Sequence, residues 1–98
     1  MTKSTLLEQL KSAGRFTAAQ AALWHDSAEL LAVADAIGRE GSSVVVKIDG
    51  ARKDGSIYTV VVSGGRLGED FFRKDGADLA TVLQDAISFY QSKVWAAK

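Results

Sequence analysis

Apolar residues change their period twice along this chain. Through Gly41 they recur at helical spacing, from Ser42 they alternate or run together as in strands, and from Leu79 the helical period returns. In the first segment, "TLLE" sets Thr5 three residues before Glu8 in a capping-box pattern. This predicts a short helix ending near Lys11, with Gly14 as its stop. Thr17 and Gln20 in "TAAQ" repeat the pattern and open an Ala-rich stretch carrying Leu23, Leu30, Leu31, Ala34 and Ile37. Asp26 with Glu29 in "HDSAE" is a third start signal, so residues 17–40 are predicted as one helix, or as two meeting at His25 to Ser27. Gly41 is the expected C-terminal stop.

The stretches "SSVVVKIDG" and "SIYTVVVSG" are rich in β-branched residues and bounded by Gly, Asp and Ser, which makes them strands. Loop parity predicts their facing. A three-residue loop of Lys53, Asp54 and Gly55, with Ser56 opposite Arg52, gathers Val44, Val46, Ile48, Tyr58, Val60 and Val62 on one face. The other face then holds Val45, Lys47, Asp49, Ile57, Thr59, Val61 and Ser63, and is more polar. A two-residue Asp-Gly loop would scatter the apolar set over both faces. "EDFFR", Glu69 to Arg73, is predicted as a third, edge strand with one of its phenylalanines entering the core.

Asp75 or Asp78 is expected to start the last helix, along which Leu79, Val82, Leu83, Ala86, Ile87, Tyr90 and Val94 form one stripe. Such a stripe has to be buried, and the apolar sheet face is its partner. The predicted class is therefore α+β: a helical N-terminal half, an antiparallel meander of two to three strands, and a C-terminal amphipathic helix on the sheet, in the order α-α-β-β-β-α.

At 98 residues, 47% hydrophobic and 24% charged, the chain has the makings of one small soluble domain spanning residues 1–98. Lys plus Arg equals Asp plus Glu at 12 each, so no overall field favours nucleic acid or an anionic membrane. The absence of cysteine excludes disulfides and thiolate chemistry, and no apolar run approaches the roughly 20 residues of a membrane span. Cytoplasmic location without membrane association is the expectation.

Candidate chemistry is sparse. The only histidine, His25, adjoins Asp26, and neighbours in sequence do not face each other on a helix, so the two make no catalytic dyad. One His, no Cys and carboxylates interleaved with Lys and Arg argue against a metal site, and "DGARKDG" lacks the alternating oxygens of a calcium loop. "SGGRLGED" has glycines after a strand, yet it lacks the Lys-Ser/Thr of a phosphate loop and places Glu69 and Asp70 where an anion would sit. No catalytic residue and no cofactor are expected, and the chain reads as non-enzymatic.

The tetrapeptide RKDG occurs twice, at Arg52 to Gly55 and at Arg73 to Gly76. A three-stranded meander returns its third strand beside the first turn, so Arg52, Lys53, Arg73 and Lys74 should meet at one end of the sheet, next to the N-terminus of the last helix. Asp54 reads as turn chemistry, and Asp75 as the cap of that helix, with Gly76 in its first turn. Adjacent strand residues point to opposite faces, so one of Phe71 and Phe72 faces outward; Phe72 is taken with the four cations as a candidate binding residue.

The order helix, three antiparallel strands, helix over residues 27–96 resembles the layout of double-stranded-RNA-binding domains. The Lys-rich helix start with which those domains read phosphates corresponds here to "KDGADLATVL", which has Lys74 alone before Asp75 and Asp78, so RNA binding is not carried over from the resemblance. The expected function is a non-catalytic protein-interaction or regulatory module. Its partner is another protein or a second copy, met through the outer sheet face, the edge strand at Phe71 to Arg73, or the last helix. The alternative is a weak nucleic-acid or anion binder acting through the four cations.

Overall fold

The computed structural model describes residues 2–96. Its elements are α1 (Lys3–Ser12), α2 (Ala18–Trp24), α3 (Ser27–Arg39), β1 (Ser43–Ile48), β2 (Tyr58–Ser63), β3 (Phe71–Gly76) and α4 (Leu79–Tyr90). A 3-10 turn, Gly65–Leu67, joins β2 to β3, and one π-helical turn, Gln91–Trp95, continues α4. The strands form an antiparallel sheet in the order β1-β2-β3, with α4 packed on it. This is the α+β arrangement expected from the residue pattern.

Local chemistry explains where each helix begins. The box at Thr17 closes in both directions, Gln20 N–H donating to Thr17 Oγ1 (3.2 Å) and Thr17 N–H to Gln20 Oε1 (2.8 Å). Thr5 does not cap α1. Thr2 does so instead, its hydroxyl accepting from the Thr5 N–H at 3.2 Å, which moves the start of the helix forward. Residues 17–40 resolve into two helices with the corner at His25 and Asp26.

In the sheet, Val44 pairs with Val62, Val46 with Val60 and Ile48 with Tyr58, which preserves the expected facing. The connection is longer than a three-residue hairpin, because the ladder ends at Ile48 and Tyr58 with one further bond from Asp49 N–H to the Ile57 carbonyl (2.7 Å). Side chains take over the backbone groups beyond it. Asp49 accepts from the Ala51 N–H (3.1 Å), Asp54 accepts from the Ser56 N–H (2.9 Å), and Arg52 donates to the Ser56 carbonyl (2.9 Å).

The third strand corrects a second expectation. It starts at Phe71 and runs past Arg73 to Gly76, with Lys74 opposite Val60, Asp75 opposite Thr59 and Gly76 opposite Tyr58. Asp75 and Gly76 are thus strand residues and take no part in a helix start. Asp78 caps α4, accepting from the Ala80 N–H (3.2 Å) and from the Thr81 hydroxyl (2.8 Å).

The core lies between α4, β2 and α3. Leu79, Val82, Leu83, Ala86 and Tyr90 of α4 close on Val60 and Val62 of β2, Ile37 of α3 and Leu67, each 5% exposed or less. Full burial of each large apolar side chain contributes about 1.5–3 kcal/mol as an upper estimate, so this seam carries most of the driving force. Phe72 and Phe89 meet at 5.7 Å, and Trp24 meets Tyr58 edge-on at 6.2 Å, extending the core to both ends of the sheet.

One end of the molecule is clamped. Ser42 Oγ donates to the Gly64 carbonyl (2.9 Å), and Gly65, at φ +56°, lies so close to the Gly41–Ser42 backbone that a Cβ there would stand 2.6 Å from the Gly41 carbonyl carbon. At the same end Glu40 accepts from the Tyr90 hydroxyl (2.7 Å) and from Trp95 Nε1 (2.9 Å), and the two rings meet edge-to-face at 5.0 Å. The Tyr90 hydrogen bond, then that of Trp95, holds the Glu40 carboxyl below its ordinary value.

Replacing Gly65 with Ala should lower stability by roughly 2–4 kcal/mol, because the left-handed backbone and the close approach both resist a Cβ. Gly55→Ala, where φ is +83° with open space around it, should lose only the backbone share; denaturant midpoints at unchanged slope measure both. The lowered Glu40 value fixes the sign of a pH effect. Its contribution is complete above the ordinary glutamate value near 4.5 and is lost as pH falls through the lower folded value. The stability gap between the parent protein and Glu40→Ala should therefore be full at neutral pH and shrink in that acid window, read by thermal unfolding in a pH series.

Candidate functional site

The three-stranded ladder sets three rows on the open outer face: Lys47, Thr59 and Asp75; Val45, Val61 and Arg73; Ser43, Ser63 and Phe71. Arg52 reaches the first row from the β1–β2 connection. Its Nη1 lies 3.1 Å from Asp75 and its Nε 3.7 Å from Asp49, while Arg73 stands 3.7 Å from the same Asp75 oxygen. Thr59, buried at 4% exposure, donates to that oxygen at 2.6 Å. The Thr59 hydrogen bond first, then the charges of Arg52 and Arg73, holds the Asp75 carboxyl below its ordinary value. Asp49 is lowered likewise, chiefly by the Ala51 N–H, and pairs with Lys47 at 3.4 Å.

Arg52 and Arg73 thus meet at one end of the sheet, as topology requires, but they meet on a carboxylate. Lys74 lies across the sheet on the helix-bearing face and pairs with Asp85 of α4. Lys53 is exposed and, among the described residues, has no ion-pair partner. The four cations therefore do not make one field, since the strand alternation separates Arg73 from Lys74, and Arg52 and Arg73 share the Asp75 carboxylate. The same alternation turns Phe72 inward against Phe89 and leaves Phe71 outward at 64% exposure, so Phe71 is the aromatic available for contact.

A second surface went unread in the sequence. Both outer strands are sheet edges, and they differ in kind. The β3 edge carries Arg73, Lys74 and Asp75, the charge that discourages edge-to-edge pairing. The β1 edge, "SVVVKI", carries Lys47 alone, with Val45, Val46 and Ile48 at 50%, 36% and 58% exposure. Beside β1 lies a groove of about 550 Å³ between it and α3, walled by Leu31, Ala34, Gly38, Val44 and Val46, with the Asp35–Arg39 ion pair (2.7 Å) at its rim. The signal for it was present in the alternation: Val46 and Ile48 belong to the inward set, yet α3 does not reach over them.

Comparison with family models, curated proteins and solved structures finds no match to this chain. The geometry alone has to indicate what these surfaces do.

The pairing at Asp75 yields a direct test of the anion-binding alternative. Asp75→Asn keeps the shape and removes the charge that Arg52 and Arg73 share. The variant should elute from heparin at higher salt than the parent protein, and Asp75→Asn combined with Arg73→Gln should return to the parent position.

Proposed function

We propose that this chain is a non-catalytic protein-interaction module that receives a protein segment along β1 and in the adjoining groove of α3. The observation that carries the reading is the unguarded β1 edge: three exposed apolar side chains, one charge, no proline, and a row of backbone groups with no strand beside them among the described residues. An extended segment laid there would gain main-chain hydrogen bonds, and a helix laid in the groove would cover Leu31, Val44 and Val46. Exposed apolar surface that is continuous across a strand and a neighbouring helix marks an interaction site more than a solvated face does.

The nucleic-acid alternative has less to support it, because Arg52, Arg73 and Lys74 already face carboxylates. For the non-catalytic part of the reading the support is chemical: the single His25 is exposed on a turn, and the lowered carboxyls of Asp49 and Asp75 are explained by their own hydrogen bonds. A cytoplasmic site of action suits a chain without cysteine.

A photo-reactive phenylalanine analogue placed at Ile48, and separately at Lys53, tests the location and class of partner in cell extract. Adducts should form from position 48, resist nuclease and disappear with protease. Adducts of equal yield from both positions, or adducts that nuclease removes, would overturn the proposal.

A further inference from the structure

The interaction reading leaves open what occupies the groove, and the chain itself carries a matching object. Among the described residues helix α1 has no closely packed partner: Leu6 and Leu7 are 47% and 42% exposed, and α1 makes at most glancing contact with the other elements. The radius of gyration, 15.4 Å, exceeds the roughly 13 Å of a compact chain of this length, and the longest dimension is 50 Å. The body is thus accompanied by a projecting amphipathic helix, joined to it through Gly14, whose φ is +72°.

The groove has the form of a helix seat. On the helix-bearing face, α4 covers β2 and β3 while α3 covers β1 only in part, leaving room for one more helix beside α3. Its α3 wall presents Leu31, Ala34 and Gly38 at spacings of three and four, a single helical face with small residues where another backbone can approach. A Cβ on Gly38 would meet nothing within 4 Å, and a glycine inside a helix costs about 1 kcal/mol relative to alanine, so this position spends stability to keep the groove clear. The ten residues of α1 span about 15 Å at 1.5 Å each, within the roughly 20 Å length of six-residue β1.

We infer that α1 of a second copy fills this groove, and that its own α1 is received in return, giving a two-fold dimer built by helix exchange. The inference rests on the interaction reading above and adds the occupant. Leu6, Leu7 and Leu10 of one copy face Leu31, Val44 and Val46 of the other. Reciprocity lets a ten-residue helix suffice, because every contact is made twice toward the roughly 1,200 Å² that a specific interface buries.

Light scattering on the purified chain over about 1 μM to 1 mM decides it, using two variants on opposite sides of the contact. The parent protein should run as a dimer. Leu6→Lys with Leu7→Lys, and separately Gly38→Gln, should each weaken dimerisation by roughly 100-fold. Gly38→Gln should do so while keeping or raising the melting temperature of the monomer, since Gln favours helix over Gly. Mixing the two variants should restore a heterodimer of intermediate affinity, because one intact helix then meets one intact groove. A parent protein that stays monomeric throughout, a dimer that neither variant weakens, or a mixture that forms no heterodimer would overturn the exchange. A monomeric parent that still gives the position-48 protein adducts in extract would leave the interaction reading standing with a different occupant.

Discussion

The seam between α4 and β2 governs everything else in this fold. Tyr90, Leu83 and Val82 close against Val60 and Val62 with each side chain 1% exposed or less, and this contact fixes which sheet face turns inward. Once that face is chosen, alternation dictates the rest. Phe72 must turn toward Phe89, Phe71 and Arg73 toward solvent, and Lys74 toward the helix layer, where Asp85 receives it. A single parity thus sorts the aromatic pair and the cations together.

A sheet of three strands offers its helix layer more width than two helices fill. With α4 seated over β2 and β3, α3 is left to share itself between α4 and β1, and the shortfall falls on the β1 side. That geometric remainder is why Val46 and Ile48, apolar and inward by pattern, are exposed. The open groove is therefore a consequence of how the layer is divided, and Gly38 keeps it from being filled by the helix that borders it.

Much of this architecture was legible in the residues because it depends on period. The stripe of the last helix, the facing of Val44, Val46, Val60 and Val62, and the cap at Thr17 all follow from spacing alone. What spacing does not convey is where a ladder stops. The β1–β2 connection is longer than its Asp-Gly signal suggests because Asp49, Arg52 and Asp54 satisfy the backbone with their own side chains. The third strand absorbs Asp75 because Thr59 across the ladder and Arg52 of the β1–β2 connection, both far from it in sequence, hold its carboxylate beside the neighbouring Arg73. The convergence of Arg52 with Arg73 could be read from topology, whereas the carboxylate between them could not.

The clamp at Glu40, Ser42 and Gly65 gives the molecule a mechanical polarity. Three separate segments, the end of α3, the β2–β3 connection and the π-helical turn, are tied together there by hydrogen bonds and by backbone packed on backbone. The opposite end of β1 finishes at Ile48 beside a connection held mainly by its own polar side chains. Fluctuations of the edge strand are therefore expected to enter from Ile48 and to die out toward Ser43, as a zipper opens from its free end.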